Sequence, residues 1–289
     1  SDLMINRKMI GRVLGMLLFI ELGMFLLCAG VSAGYGESDY KYFLYTCIIN
    51  AVVGGLLLLY GRGAENKMSR RDGYCVVTLS WVFFTFFGML PFYFSGSIDT
   101  ITNAFFETMS GFTTTGATIL DDIESLSHGM LFWRSLTQWI GGLGIVFFTI
   151  AILPIFTTGG VQLFSAESTG VTHDRTHPKI NVMAKWLWTI YLVLTVSETV
   201  LLMFGGMSLF DAICQSFATT ATGGYSTKQN SISYWNSPYI EYVVAIFMIV
   251  SSINFSLFLM CLKGKVGRLF KDEELHWFLA SVGILTFLI

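Results

Sequence analysis

Two short runs of threonine and glycine carry the chemistry this sequence could perform: Thr113-Thr114-Thr115-Gly116-Ala117 and Thr220-Ala221-Thr222-Gly223-Gly224. Neither holds a carboxylate, which argues against a divalent-cation site built from acidic oxygens. What both can present is a row of backbone carbonyls. A monovalent cation leaving water must exchange its hydration shell for oxygens of suitable field strength, and rings of carbonyls supply them. Aiming successive carbonyls at one axis takes some residues out of ordinary φ/ψ space. Glycine goes there without a Cβ penalty, which gives Gly116, Gly223 and Gly224 a role, while threonine adds hydroxyls and little bulk.

The two runs belong to a repeat. Asn103-Ala104-Phe105-Phe106-Glu107-Thr108 aligns with Asp211-Ala212-Ile213-Cys214-Gln215-Ser216, and after a one-residue slip residues 113–117 align with 220–224. Each copy opens with an apolar, helix-compatible run and lies between two long apolar stretches. A helix of about 12 residues rises about 18 Å, roughly halfway across the hydrocarbon of a bilayer. A half-helix whose following loop returns to the same side is a re-entrant hairpin. Irregular backbone at that depth is tolerated only where it is buried in protein or lines a watery cavity. The partial negative charge at the C-terminal ends of two such half-helices favours a cation between them. A single threonine–glycine loop could merely turn the chain outside the membrane; two copies at matching places argue for the re-entrant reading.

The elements that position these loops follow from composition. The 289 residues are 54% hydrophobic, 16% aromatic and only 12% charged, with a mean hydropathy of +0.65. A soluble domain carries about 25% charged residues, so the chain reads as an all-α integral membrane protein. Apolar stretches long enough to cross lie at about 13–33, 42–60, 74–94, 135–156, 186–206 and 239–262, and a seventh starts near Trp277 and reaches Ile289. The chain is therefore expected to be a truncated one. All 17 basic residues except Lys41, Arg134 and Lys228 fall on alternate connections, which puts the N terminus in the cytoplasm and both threonine–glycine loops outside. The net charge of -2 and the lack of a basic stripe give no sign of nucleic-acid binding.

Motifs for other chemistry are missing. There is no HExxH or GxGxxG, so an enzyme is not expected. Cys28, Cys47, Cys75, Cys214 and Cys261 show no paired spacing and read as small hydrophobes. An inverted-repeat transporter is disfavoured because the two copies run in the same orientation.

The chain resembles the TrkH family, the pore-forming subunits of Trk-type potassium uptake systems within the Trk/Ktr/HKT superfamily. The resemblance rests on residues 105–118 (FFETMSGFTTTGAT), 132–145 (FWRSLTQWIGGLGI), 151–154 (AILP), 221–226 (ATGGYS) and 254–258 (NFSLF). It implies two leading helices followed by helix–pore-helix–helix units of a potassium-channel-like pore. Here these would be an N-terminal two-helix segment over 1–73, a first unit over 74–156, a cytoplasmic loop over 157–185, a second unit over 186–262, and a linker with the start of a third unit over 263–289. The third and fourth filter loops are expected to be absent.

By the same resemblance, the carbonyls of Thr114, Thr115, Ala221 and Thr222 would bind the transported K+, supported by Thr113, Gly116, Ala117, Thr220, Gly223 and Gly224. A serine at the first-loop glycine goes with sodium transport in this superfamily, so Gly116 favours potassium. The implied setting is a cell (inner) membrane, with lipid around a homodimer and a cytosolic nucleotide-binding regulatory subunit of the TrkA type, and no organic cofactor. Sodium or non-selective conduction stays open, as does a non-conducting membrane subunit, because two loops do not close a ring of four. Passive flux and proton coupling are not distinguished.

A few charged and flexible residues remain. Arg134 is expected to snorkel to the outer interface, with pairing to Asp121, Asp122 or Glu124, or deterring cations from the mouth, as alternatives. Glu21 and Glu198 lie within spans, where an ionisable group is costly. Gly141, Gly142 and Gly144 suit close helix packing. His173 and His177 fall in a cytoplasmic loop and read as a solvated contact rather than a metal site.

Overall fold

The computed structural model describes residues 5–64, 69–144, 180–262, 267 and 271–288. Among these the chain is helical, with no strand. Four helical stretches are long and apolar enough to cross a membrane: Arg7–Gly34, Tyr40–Tyr60, Arg71–Phe94 and Lys185–Phe204. The 151–154 motif, His173 and His177, and the second half of the fourth expected span lie outside the described residues.

α1 (Arg7–Gly34) and α2 (Tyr40–Tyr60) form the leading pair. Their backbones meet at Gly15 and Gly54, where a β-carbon on Gly15 would stand 2.8 Å from the Gly54 carbonyl. Small residues permit such an approach where lipid supplies no hydrophobic drive between helices. The first unit opens with α3 (Arg70–Gly88), held by a capping box between Ser69 and Asp72. The expected single span to residue 94 is broken at Met89 into α3 and α4 (Leu90–Phe94). Pro91 lacks an amide and its ring crowds the carbonyl four residues back. At the break the indole Nε1 of Trp133 donates to the Gly88 carbonyl (2.8 Å).

α5 (Ile101–Phe112) is the first half-helix, capped by Thr100. α6 (His128–Leu143) begins seven residues before the expected 135, because Ser127 caps it and the polar face of its first turns is buried by protein rather than wetted. The second unit comprises α7 (Ile180–Phe204), the half-helix α8 (Leu209–Thr220) capped by Ser208, and α9 (Pro238–Ser252). The expected sixth span bends at Ile253, which is extended (φ -73°, ψ 142°), before α10 (Phe255–Leu262). Ser252 returns its hydroxyl to the Met248 carbonyl (2.7 Å), a bond that competes with the helix ladder. α11 (Glu273–Leu288) opens where Asp272 accepts from the Leu275 amide (2.9 Å).

The core lies between the leading pair and the first unit. Trp133 is fully buried at its centre, 4.6 Å from the Phe25 ring and 6.0 Å from that of Phe112. The two ends of the bundle are fixed by long-range contacts. At one, the Asn6 amide donates to Asp72 (2.8 Å). At the other, Glu37 in the α1–α2 turn accepts from the His128 and Gly129 amides and pairs with the His128 ring (2.8 Å). This second end carries the starts of α5, α6 and α8, so both half-helices enter from one side.

Candidate functional site: the paired threonine–glycine loops

Each half-helix runs straight into its loop, and the two do so in one register. The Thr113, Thr114 and Thr115 amides donate to the Met109, Gly111 and Ser110 carbonyls; the Ala221, Thr222 and Gly223 amides donate to Phe217, Thr219 and Ala218. Thr114 (φ 53°) and Thr222 (φ 55°) both occupy the left-handed region, as do Gly116 (φ 74°) and Gly224 (φ 86°). Every pair is 108 residues apart, the same offset as Asn103 and Asp211. The expected one-residue slip is therefore not there. Its physical origin is visible at Thr220, which is the last residue of α8 and not the first of the loop. The counterpart of Thr113 is Ala221, that of Thr114 and Thr115 is Thr222 and Gly223, and that of Gly116 is Gly224.

Left-handed residues alternating with others turn successive carbonyls towards one side of the loop, whereas in an extended segment they alternate sides and in a helix they point along its axis. Among the described residues no donor reaches the carbonyls of Thr114, Thr115, Gly116, Thr222 or Gly223. The loops touch where Gly116 abuts the Gly223 carbonyl, with no room between them for a β-carbon. Gly223 in turn rests on the side chain of Gln138. Of the remaining expected support residues, Ala117 accepts from Ser110 Oγ (2.6 Å), and Thr220 turns its hydroxyl toward Thr195 (3.4 Å).

Behind the loops stands a polar stripe on α6 that sequence reasoning missed. Arg134 does not reach an interface: it is 2% exposed, and its Nε donates to Glu107 Oε1 at 2.8 Å. Its Nη1 donates to the Ser226 carbonyl (3.0 Å), and its guanidinium lies 3.6 Å from the centre of the Tyr225 ring. Glu107 is completed by Thr118 Oγ1 (2.8 Å) and the Ile119 amide (3.0 Å). One turn on, Gln138 accepts from the Tyr225 amide (3.0 Å). The acids expected near Arg134 are engaged elsewhere or outside: Glu124 pairs with Lys228 at 3.6 Å. The signal that could have found the pair was the spacing of Glu107 on a half-helix against a basic residue inside the next apolar run.

Glu198 is fully buried on α7, with the hydroxyls of Thr219 and Thr220 as its polar neighbours. Glu21 accepts from Asn50 (3.0 Å) between α1 and α2. Gly141 and Gly142 pack tightly, the first on the Phe112 carbonyl and the second on Ala221 and the Tyr191 hydroxyl, which bears out the packing reading for both. No cluster of three or more metal-ligating side chains occurs among the described residues.

Comparison with known proteins fits this geometry. The TrkH family profile, described as a cation transport protein, matches residues 40–289. The chain is 40% identical over 275 residues to the Trk system potassium uptake protein TrkH of Escherichia coli K12, covering 94% of this chain and 57% of that protein. It is 36% identical to the protein of the same name from Halomonas elongata, covering 96% and 59%. The crystal structure of the potassium transporter TrkH from Vibrio parahaemolyticus superposes with a TM-score of 0.83 at 33% identity, covering 97% of this chain and 57% of that one. The chain thus spans little more than half the length of the relatives it matches. With its two leading helices, its repeated helix–half-helix–helix units and this degree of likeness, the chain is a membrane protein of the TrkH cation transport family.

Proposed function

We propose that this chain contributes two of the filter loops of a potassium-conducting pore, with selectivity set by backbone carbonyls. The single observation that carries the reading is the shared register of the loops, in which left-handed residues alternate identically at the ends of both half-helices. The carbonyls of Thr113, Thr114 and Thr115 and their counterparts Ala221, Thr222 and Gly223 replace water around K+, and the C-terminal ends of α5 and α8 add negative potential from behind. Within each run the pair beside the turn glycine is Thr114 and Thr115 in the first loop and Thr222 and Gly223 in the second.

The relatives are named as potassium uptake proteins of Trk systems, which supports K+ as the cargo and a multi-component assembly. We extend this to a homodimer in a cell inner membrane, N terminus cytoplasmic, with a TrkA-like nucleotide-binding regulatory subunit on the cytoplasmic face. The basic residues on alternate connections support that orientation. The test is cation flux in proteoliposomes for K+, Rb+, Na+ and Li+, with the chain continued to the length of its relatives. Passage of K+ and Rb+ with little Na+, eroded by Gly116→Ser, upholds the carbonyl filter. Equal passage of Na+, or a Gly116→Ser variant that behaves like the parent, overturns it.

A further inference from the structure

We propose that Arg134 is a specificity-determining positioning residue of the filter, acting through Glu107 and Ser226 to fix the separation of the two loops; the proposal rests on the filter reading above.

The brace grips both loops at the same place. Ala117 and Thr118 are the first residues after Gly116, and Tyr225 and Ser226 are the first after Gly224. Arg134 reaches the first loop through Glu107, which holds Thr118 Oγ1 and the Ile119 amide (2.8 and 3.0 Å), and reaches the second directly through the Ser226 carbonyl (3.0 Å). The Tyr225 ring lies against the guanidinium, and its hydroxyl stands 2.9 Å from the Glu107 carbonyl and 3.2 Å from that of Ala117. Gln138, four residues along the same face of α6, holds the Tyr225 amide (3.0 Å). One helix thus carries groups that tie each loop to the other.

Such an arrangement is a poor source of stability. Glu107 and Arg134 are 1% and 2% exposed, and removing two charges from water largely cancels the gain from pairing them. What it provides is geometry. A guanidinium is a planar fork with donors at fixed angles, so contacts through Nε and Nη1 define two directions at once, which a lysine ammonium cannot do. The separation it defines matters because Gly116 already abuts the Gly223 carbonyl. A sub-ångström change in loop spacing alters every carbonyl distance to the ion, and sites held that loosely lose function.

The experiment compares Arg134→Gln, Arg134→Lys, Tyr225→Phe and Gly116→Ser with the parent, each in the chain continued to the length of its relatives and reconstituted in proteoliposomes. The readout is the ratio of K+ to Na+ flux beside total K+ flux. A residue that only held the fold together would lower the flux of all ions alike and leave the ratio unchanged. We expect the ratio to fall about tenfold in Arg134→Gln and in Arg134→Lys, and about threefold in Tyr225→Phe, which keeps the ring under the guanidinium and loses only the hydroxyl. An unchanged ratio in Arg134→Gln overturns the proposal. If that variant does not fold, Tyr225→Phe decides on the same criterion. Erosion by Gly116→Ser without erosion by the brace variants leaves the filter reading standing and removes this one. A parent that passes Na+ as readily as K+ removes both.

Discussion

Gly116 and Gly223 lie against each other across the two loops, so closely that a β-carbon on Gly116 would run into the Gly223 carbonyl oxygen. Gly224, the register partner of Gly116, shares its positive φ but faces open space. The two glycines therefore separate conformational cost from collision.

Alanine at Gly224 meets only the left-handed penalty, about 1 to 2 kcal/mol. Alanine at Gly116 meets that penalty and displaces the neighbouring loop as well. Rubidium uptake by the chain continued to the length of its relatives is expected to fall by about tenfold in Gly224→Ala and by a further order of magnitude or more in Gly116→Ala. Equal losses would show that the contact between loops has no consequence.

Glu37 should tie stability to pH at the end of the bundle where α5, α6 and α8 begin. Partial burial pushes its carboxyl up, but the His128 and Gly129 amides and the His128 ring outweigh this and hold it below the usual glutamate value. A carboxyl lowered in the folded state contributes stability that is complete above its ordinary value, about 4.3, and is lost as pH falls through the lowered one. Glu37→Gln is expected to cost about 0.5 to 1 kcal/mol at neutral pH, as for an anion at a helix N-terminus. Thermal melts in detergent should show the difference from the parent closing below pH 4 or so; a constant gap would refute the assignment.

The leading pair offers an internal control. A β-carbon on Gly15 would stand 2.8 Å from the Gly54 carbonyl and 3.0 Å from the Leu58 side chain, whereas Gly23 on the same helix has nothing within 4 Å. Gly15→Val should destabilise by about 1 to 3 kcal/mol through overpacking. Gly23→Ala should gain up to about 1 kcal/mol in helix propensity. Melting of the two variants in one detergent tests both signs.

Trp133 supports the break in the third span as well as the core. Trp133→Phe keeps most of the packing against Phe25 and Phe112 but leaves the Gly88 carbonyl without its indole donor, a loss of about 1 to 3 kcal/mol. Trp133→Ala should cost about 3 to 5 kcal/mol. A Trp133→Phe variant as stable as the parent would mean that the Gly88 carbonyl is satisfied without it.

How far the sequence can be read is clear from particular residues. Long apolar runs and a repeated half-helix are one-dimensional signals, so the leading pair and both units are legible from residues such as Asn103 and Asp211. The loop register is not, because Thr220 has the same side chain whether it ends a helix or begins a loop, and only the amide pattern distinguishes them. Arg134 misleads for a different reason. A lone arginine in an apolar run normally seeks an interface, and its acid, Glu107, sits 27 residues away on another helix. Met89 shows a third limit: Pro91 marks a possible break, but Trp133 must be in place to cap it.

The brace behind the loops also imposes an order on assembly. Glu107 and Arg134 can pair as soon as the first unit has been made, since 27 residues separate them, but the Ser226 carbonyl follows Arg134 by 92. Until the second unit inserts, the guanidinium holds one anchor and lacks the other, and the far edge of the first loop rests on Glu107 and Ser110 alone. The two units are therefore expected to mature together. In a nascent chain stalled before Tyr225, residues 113–118 should be cut by protease more readily than in a longer one, and equal protection in both would show that the first unit completes itself unaided.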